Sequence, residues 1–415
     1  MYDYIRDFEL LFLMVKKKVT LGIAMDTQKS FILFTAETAP TYAGDGLNAL
    51  LFAKTLLRKG YTARIICLNA NGLLPKTEEI NTVRIDRVRY WCKTKVGRFL
   101  LRLSIVLTIL RIWRCGNYWL IYGAMPSHRV IVLVGKLLRR RIIFRSTLLD
   151  FDDIKTLTES KSRLVFRLNK YLYKQVSGYY ALNSQFLSRW ESVFHKAIPV
   201  FKSTQGVDFS NVISDANGNT YSRNVLGLPQ SVPVILMLGH LINRKGFPEI
   251  FQLLSKVKSD FLLVHIGRHS APSWDIMYTK NSEMAKNKQM GHELLGSRVA
   301  FIGETDNVRD YMRVADIYLL NSEAEGFPPN SLNEAMANGL AILAKRIRGS
   351  EDVLEDEHNA LLFNNSDEFE GKLIRMLEDV GLRERLGANA RKFALEKNDI
   401  NTVVDNYINF VNTLG

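Results

Sequence analysis

Residues 317–344 read IYLLNSEAEGFPPNSLNEAMANGLAILA and contain one complete strand, loop, helix and strand pattern. The apolar run Ile317–Leu320 is followed by a loop with two prolines, and the helical pattern ends before a second apolar run, Ala341–Ala344. Gly339 suits the end of that helix. Short apolar runs that alternate with helices are typical of βαβ units with parallel strands. The stretch therefore predicts one such unit.

The same alternation continues through both halves of the 415-residue chain, and this length suggests two domains. The strand candidates are Phe31–Phe34, Ala63–Leu68, Arg84–Tyr90, Trp119–Tyr122, Arg141–Phe144, Gly178–Leu182, Val234–Leu238, Phe261–Ile266, Val299–Ile302, Ile317–Leu320, Ala341–Ala344 and Ala360–Phe363. Lys196–Asp208 has a proline, a glycine and no helical period, so it predicts a linker.

We therefore predict four parts of the chain. Residues 1–28 form an N-terminal extension, which lacks the order of a secretory signal because its basic cluster follows its apolar run. Residues 29–200 and 201–395 form two doubly wound domains. A C-terminal helix within 396–415 is expected to return to the first domain.

The charge is distributed unevenly between these halves. Residues 1–200 hold 33 Lys and Arg against 14 Asp and Glu, a net charge of +19, whereas residues 201–415 hold 23 against 28, a net charge of −5. A strongly basic half predicts a surface for nucleic acid, an anionic membrane or a phosphorylated substrate. The three cysteines have neither CxxC nor Cys/His spacing, which argues against a disulfide framework or a zinc site. No apolar run approaches the roughly 20 residues of a membrane span.

The helix after the Pro-Pro turn admits two interpretations. Ser331-x-x-Glu334 fits a capping box, in which Glu334 returns a hydrogen bond to the cap. The same helix start, with the N–H groups of Ser331, Leu332 and Asn333, is also a site for an anion such as phosphate. The segment LGHLINRKG places His240, Arg244 and Lys245 after another predicted strand, and a solvated basic turn is the alternative there.

These segments together resemble a retaining glycosyltransferase of family 4. The resemblance covers most of residues 29–380, in the segments FILFTAETAPTYAGDGLNALLFAKTLLRKGY, QGVD, LGHLINRKG, VAFIG and EGFPPNSLNEAMANG, of which the last is the most specific. It implies the GT-B fold, an α/β architecture in which two Rossmann-like doubly wound parallel-sheet domains face each other across a cleft.

The resemblance also implies residue roles. Glu325 would contact the donor sugar and Glu334 the ribose of the nucleotide, while Lys245 would hold the diphosphate. Gly44 would let the backbone approach the phosphate and sugar, and Gly303 would border the base. Further donor contacts are implied at His240, Arg244, Gly326, Phe327, Ser331 and Leu332.

Three departures from the family pattern accompany the resemblance. Eight residues separate Glu325 from Glu334 instead of the usual seven, with the extra residue in the Pro-Pro region. The usual arginine of the basic loop is His240, and the usual glycine pair of the first loop is Ala43-Gly44. Pro328 and Pro329 carry no N–H, so fewer backbone donors face the sugar.

The expected reaction is transfer of a hexosyl group from a nucleotide-diphosphate sugar, a co-substrate, to a glycan or lipid-linked acceptor in surface polysaccharide or glycolipid synthesis. Positive groups would stabilise the leaving phosphate, so neither a metal nor another cofactor is expected. Asp150-Phe151-Asp152-Asp153 contains the Asp-x-Asp pattern of metal sites, but an acidic turn that caps a helix explains it as well. Asp150 and His128 are weaker candidates for the acceptor side.

The basic N-terminal domain further predicts peripheral contact with an anionic membrane, through KTKVGRFLLRLSIVLTILRIWR and GKLLRRRIIFR, although a soluble basic face is the alternative. The expected location is the cytoplasm, or its face of the membrane. Nucleic-acid binding is not expected, because the tyrosines of YLYKQVSGYY fall partly on a predicted core strand.

Two alternative activities share a Rossmann-like fold. Gly44–Ala49 fits the G-x-G-x-x-A pattern of an NAD-dependent oxidoreductase, but the second strand ends in Asn69, without an acidic residue for the ribose. A nucleotide-sugar epimerase would need no acceptor.

Overall fold

The computed structural model describes residues 29–40, 44–69, 72–89, 94–112, 115–195, 198–212, 223–269 and 281–414. The predicted N-terminal extension, residues 1–28, lies outside these ranges, as does Arg114 at the end of the basic segment KTKVGRFLLRLSIVLTILRIWR.

The chain divides into two compact units. The first extends to Ser203 and also contains Val404–Gly415, and the second spans Thr204–Val403. The division falls inside the predicted linker Lys196–Asp208. Part of that linker is a short strand, Val200–Lys202.

The first unit contains an eight-stranded sheet with the order β3-β4-β2-β1-β5-β6-β7-β8, in which only the β3–β4 pair is antiparallel among the described strands. Its elements are β1 (Ser30–Phe34), α1 (Gly44–Arg58), β2 (Thr62–Asn69), β3 (Thr77–Ile80), β4 (Val83–Arg89), α2 (Lys95–Ile112), β5 (Tyr118–Tyr122), α3 (His128–Leu137), β6 (Arg141–Arg145), α4 (Ile154–Thr158), α5 (Arg163–Tyr173), β7 (Gly178–Ala181), α6 (Ser184–Phe194) and β8 (Val200–Lys202).

The second unit contains a six-stranded parallel sheet with the order β11-β10-β9-β12-β13-β14. Its strands and α-helices are β9 (Val234–Leu238), α7 (Phe247–Lys256), β10 (Leu262–Ile266), α8 (Asn281–Leu295), β11 (Val299–Gly303), α9 (Val308–Val314), β12 (Ile317–Leu320), α10 (Asn330–Ala337), β13 (Ala341–Lys345), β14 (Leu361–Phe363), α11 (Ser366–Glu378), α12 (Val380–Lys397) and α13 (Ile400–Thr413). A 3₁₀ turn, Asn243–Lys245, precedes α7.

Helices cover both faces of the second sheet. Successive side chains of a strand point to opposite faces, and in β9 Ile235 packs in a core cluster with Phe251 of α7. Leu236 packs in the cluster on the other side, with Leu332 of α10. Ile235 is paired with Leu263 of β10 and Ile317 of β12, so β9 is central in the sheet.

The two doubly wound, mainly parallel sheets confirm the predicted α/β class with two Rossmann-like units. The twelve predicted strands are all present, whereas β3 and β8 were missed. Thr77–Ile80 has two adjacent glutamates and lies at a sheet edge, and Val200–Lys202 is only three residues long. Neither segment has the continuous apolar run of a strand buried on both faces.

The last helix, α13, belongs to the first unit from Val404 onward, where its aromatic face completes the core. Tyr407 is fully buried, with ring centroids 5.0 Å from Phe52 and 5.6 Å from Phe201. Arg141 donates from Nη1 to the carbonyl oxygen of Leu414 at 2.6 Å. Within the described ranges, no helix combines the length and the apolar character needed to cross a membrane.

Candidate functional site

Two loops of the second unit meet where the winding of its sheet reverses. From β9 the chain adds β10 and β11 on one side, and it then adds β12 on the opposite side of β9. Ligands of parallel sheets bind outside the carboxyl ends of strands at such a switch point. The loop after β9 carries His240, Arg244 and Lys245, and the loop after β12 carries Glu325.

These loops form a cluster of charges around Glu325. Lys245 donates from Nζ to Glu325 Oε1, and the Ser322 hydroxyl donates to the same oxygen at 2.6 Å. Arg244 Nη1 lies 3.4 Å from Glu325 Oε2 and donates to the carbonyl oxygen of Ala324 at 2.5 Å. The structure thus brings together three of the predicted site residues.

The environment keeps Glu325 ionised. Burial by itself would raise the pKa of this carboxyl, but the charges of Lys245 and Arg244, with the hydrogen bonds from Lys245 and Ser322, hold the pKa below its ordinary value of 4.5. A depressed pKa stabilises the folded state above the unfolded value, and this contribution is lost as the pH falls through the folded value. The ion pair therefore persists throughout the neutral range.

Gly246 sets the turn that presents Lys245. Its φ is +73°, in the left-handed region, and a Cβ at this position would lie 2.0 Å from the carbonyl oxygen of Asn321. Asn321 follows β12, and its Nδ2 donates to the carbonyl oxygen of Gly246 at 3.0 Å. The basic loop and the acidic loop are therefore fastened to each other directly beside the charge cluster.

The start of α10 differs from the prediction. The helix begins at Asn330 with Pro329 as its N-cap and without a side-chain cap, so the predicted capping box from Ser331 to Glu334 is wrong. The Leu332 and Asn333 N–H groups both donate to the carbonyl oxygen of Pro329. Both N–H groups are therefore used within the helix, and the expectation that they face an anion is wrong. Proline can occupy the cap position because it has no backbone N–H that would need an acceptor.

Ser331 and Glu334 remain available on this helix. The N–H of Ser331 makes no hydrogen bond to a described residue, while its hydroxyl accepts one from Tyr318 at 2.8 Å. Glu334 is an exposed residue. Desolvation raises the pKa of its carboxyl to about 7, and the charge of Arg309 acts in the opposite direction. Gly326, Phe327 and Leu332 are buried.

Three glycines lie side by side at the carboxyl ends of β9, β10 and β11. Gly239, Gly267 and Gly303 all have positive φ, and Gly267 donates to the carbonyl oxygen of Gly303 at 2.9 Å. A Cβ on Gly267 would lie 2.1 Å from the carbonyl oxygen of Gly239. Of these three, only Gly303 was selected from the sequence. Gly239 and Gly267 could have been identified in the same way, because each directly follows a predicted strand.

An ion pair beside these glycines was also missed. Arg268 follows β10 and is buried, and its Nε donates to Glu304 Oε1 at 3.0 Å. Each residue lies two positions after a strand that the sequence predicts. Their position at neighbouring carboxyl ends was therefore inferable, although their pairing was not.

A buried polar network supports the loop before α10. Asn398 donates to Asn333 Oδ1 at 2.8 Å, Asn333 donates to the Gln205 carbonyl oxygen at 3.0 Å, and Gln205 donates to the Pro328 carbonyl oxygen at 3.1 Å. Thr204 also donates to Asn398 Oδ1 at 2.6 Å. The Gln205–Asp208 motif thus has a structural role in holding the Pro-Pro turn.

Gly44 belongs to the first unit, where it is the exposed first residue of α1. The glycine that packs tightly there is Gly46, because a Cβ on it would lie 1.9 Å from the carbonyl oxygen of Glu37. All residues of the G-x-G-x-x-A pattern, Gly44–Ala49, lie inside the helix and not in a tight turn after β1. The pattern therefore lacks the geometry of a dinucleotide-binding fingerprint, and the oxidoreductase alternative is not supported.

His128, the first residue of α3, has partners for both ring nitrogens. Nδ1 lies 3.0 Å from the carbonyl oxygen of Met125, and Nε2 lies 2.6 Å from the hydroxyl of the buried Tyr173. Desolvation lowers the pKa of His128 to about 4. This arrangement favours a satisfied structural histidine over an acid or base.

The acidic turn after β6 is organised by hydrogen bonds. Asp152 is buried and accepts from the N–H groups of Thr147 and Leu148 at 2.8 and 2.7 Å. Asp153 is the N-cap of α4, as the helix-capping interpretation predicts. The more exposed Asp150 forms a salt bridge of 2.7 Å with Arg189. No group of acidic, cysteine or histidine side chains suited to a metal ion was found among the described residues.

The chain is similar to known glycosyltransferases. Residues 219–393 match the family model of the glycosyl transferases group 1. The chain is 24% identical over 294 residues to an uncharacterized glycosyltransferase of Methanocaldococcus jannaschii, which covers 62% of this chain and 74% of that one. It is 28% identical over 180 residues to the N,N'-diacetylbacillosaminyl-diphospho-undecaprenol alpha-1,3-N-acetylgalactosaminyltransferase of Campylobacter jejuni, which covers 42% of this chain and 43% of that one.

Solved structures share the fold across both units. Sucrose-phosphate synthase from Thermosynechococcus elongatus superposes with a TM-score of 0.76 at 17% identity, over 93% of this chain and 99% of that one. Anabaena HepE, solved in complex with UDP and glucose, gives a TM-score of 0.71 at 17% identity, over 92% of this chain and 100% of that one.

Proposed function

We infer that the chain is a glycosyltransferase with the GT-B fold, and we propose that it transfers a hexosyl group from a nucleotide-diphosphate sugar to a glycan or lipid-linked acceptor. The proposal includes retention of the anomeric configuration, as in family 4, and a reaction without a metal ion. A role in surface polysaccharide or glycolipid synthesis follows from the acceptor class, which the undecaprenol-linked acceptor of the Campylobacter jejuni relative supports.

The observation that carries the proposal is the cluster of Lys245, Arg244 and Glu325 at the switch point of the second sheet. A sugar diphosphate combines two anionic phosphates with a ring of hydroxyl groups, so its recognition needs positive groups beside a hydrogen-bond acceptor. Two cations and a buried ionised carboxylate supply both in one place.

Departure of the nucleotide develops negative charge on its phosphate, and in the proposed mechanism Lys245 and Arg244 stabilise that charge. The Ser331 N–H at the positive end of the α10 dipole adds a third donor. Lys245 would exchange its bond to Glu325 for one to the phosphate, which leaves the Glu325 carboxylate to bind a sugar hydroxyl. Fixed positive groups of this kind perform the charge stabilisation that a metal ion performs in other enzymes.

Glu334 is proposed to bind the ribose hydroxyls. Its exposed carboxylate lies on the same helix as Ser331, one turn from the positive end. Two ribose hydroxyls can donate to the two oxygens of one carboxylate, and hydrogen bonds to a charged group are worth about 1.5–3 kcal/mol each. Roles of Gly44, His128 and Asp150 in donor or acceptor binding stay predictions.

The direct test is calorimetric binding of UDP-, GDP- and ADP-sugars to the full chain and to Glu334→Gln. We expect one nucleotide sugar to bind, and the variant to lose about tenfold to a hundredfold in affinity because the amide offers one acceptor in place of two. Glu370→Gln, on the exposed face of α11, is the matched control and should bind as the wild type does.

Absence of binding across the panel by folded protein would refute the proposal. Once the donor is known, NMR of the anomeric proton of the product tests retention, and turnover in excess EDTA tests metal independence. Conversion of the donor sugar without any acceptor would instead favour an epimerase.

A further inference from the structure

The two predicted membrane-facing segments are partly buried in the first unit. In α2, the apolar side chains of Ile105, Val106 and Ile109 are buried, and Arg111 pairs with Asp86 at 3.0 Å. In GKLLRRRIIFR, the fully buried Arg145 donates to Asn48 Oδ1 at 2.8 Å. These groups complete the fold. Val96 and Leu107 of α2 are 67% and 48% exposed, but they lie eleven positions apart and form no continuous apolar stripe.

Helix α5, Arg163–Tyr173, presents a different face. Leu164, Leu168 and Tyr171 are 51%, 56% and 66% exposed, and their spacing of four and three residues places them on one stripe of the helix. The opposite face is anchored by Tyr173, which is fully buried against Phe144 at 5.3 Å. The exposed stripe is therefore held in a fixed orientation and is not the result of a frayed end.

A second stripe of cations runs beside the apolar one. Arg163, Arg167, Lys170 and Lys174 are spaced by four, three and four residues, so they too lie on one side of the helix. Residues 163–174 contain no Asp or Glu. Among the described residues, no carboxylate forms a salt bridge with these four cations.

We propose that α5 is the element that docks this protein on an anionic membrane, with the Leu164, Leu168 and Tyr171 stripe inserted among the acyl chains and the cations on the headgroup phosphates. An interfacial helix needs both a stripe of apolar side chains and a basic flank. The cations alone would attract either a nucleic-acid backbone or an anionic lipid surface. The leucine side chains gain nothing from a nucleic-acid backbone, so only the lipid surface suits both stripes. This inference rests on the proposed function, because docking on a membrane would bring the enzyme to a lipid-linked acceptor.

The test is co-sedimentation of the full chain with vesicles of phosphatidylglycerol and phosphatidylcholine, and with vesicles of phosphatidylcholine alone. We expect binding to the anionic vesicles, weakened by salt. Leu164→Ser combined with Leu168→Ser should lower the partition coefficient about tenfold or more. Arg163→Gln combined with Arg167→Gln should lower it about 25-fold, at roughly fivefold per cation.

The matched control replaces two other exposed residues, Val380→Ser with Leu395→Ser in the second unit, each 55% exposed, and should bind vesicles as the wild type does. Vesicle binding unchanged in both α5 variants would overturn the proposal. A change of oligomeric state in the leucine variant, with vesicle binding unchanged, would also overturn it and assign the stripe to a second copy. Binding of a single-stranded RNA is measured in parallel. If the arginine variant lost RNA and vesicle binding equally while the leucine variant kept both, the proposal would also be overturned.

Failure here is separable from failure of the proposed function. The α5 variants should keep wild-type affinity for the nucleotide sugar, since the donor cluster lies in the second unit. A chain that binds vesicles through α5 but binds no nucleotide sugar would leave the docking surface standing and remove the transferase proposal.

Discussion

Replacement of Lys245 by methionine is expected to lower kcat/KM for the donor about tenfold to a hundredfold, the value of one charge-assisted hydrogen bond of 1.5–3 kcal/mol. Methionine keeps the length of the side chain but removes the charge that the leaving phosphate needs. The loss should appear mainly in kcat if Lys245 acts on charge that develops in the transition state, and mainly in KM if it holds the ground-state diphosphate.

The same substitution should also cost stability, because the Lys245 and Glu325 side chains are only 14% and 8% exposed. Removal of one partner from a buried pair costs about 3–5 kcal/mol, and we expect the lower end because Arg244 remains 3.4 Å from Glu325. Urea denaturation measures this cost separately from kinetics.

Arg375→Met is the control for this prediction. Arg375 of α11 pairs with Glu357 at 2.7 Å in the same unit, but the two side chains are 50% and 48% exposed. Such a pair contributes at most about 1 kcal/mol, and donor kinetics should not change. If Lys245→Met and Arg375→Met had the same kcat/KM, Lys245 would have no role in the transfer.

Replacement of Gly246 by alanine is expected to destabilise the second unit by about 2–4 kcal/mol, the combined cost of a left-handed non-glycine residue and of overpacking. The Cβ would press on the Asn321 carbonyl at 2.0 Å, and the loop that carries Lys245 would have to move. For a unit of this size the melting temperature should fall by roughly 4–16 °C, and nucleotide-sugar affinity should fall with it.

Gly371→Ala provides the contrast. Gly371 lies inside α11 and a Cβ there meets no atom within 4 Å, so alanine should stabilise the helix by about 0.5–1 kcal/mol. Gly246→Asn separates the two causes, since asparagine tolerates the left-handed region but retains the clash. Equal melting temperatures for Gly246→Ala and Gly371→Ala would show that the turn is not constrained as described.

The positions of Lys245 and Glu325 were predictable because they depend on order along the chain. Lys245 and Glu325 each follow a predicted buried strand, and parallel strands place their carboxyl ends on one edge. The details of α10 were not predictable to the residue. Ser331 is a better cap than Pro329 by local preference, yet the helix starts at Asn330 with Pro329 as its cap, next to a Pro328 carbonyl oxygen that the distant Gln205 holds.

In the first unit too, some features were predictable from the sequence and others were not. The sequence predicts that His128 follows a strand, which is correct, but Tyr173 lies 45 residues further along and takes its Nε2. The acidic turn was ambiguous between a cap and a metal site, and contacts to Thr147 and Leu148 show how its carboxylates are used. Partners so distant leave no local pattern that could identify them.

The sequence by itself determined twelve of the fourteen described strands, their alternation with helices and the residues that follow them, because apolar periodicity and turn residues act over a few positions. Only the tertiary structure decided that β9 and β12 are neighbours, which places Lys245 against Glu325. It also decided which basic residues are buried and which remain exposed on α5. Strand order and the burial of charged side chains depend on desolvation and on pairing between distant segments. These contributions to the free energy arise only when the chain has packed.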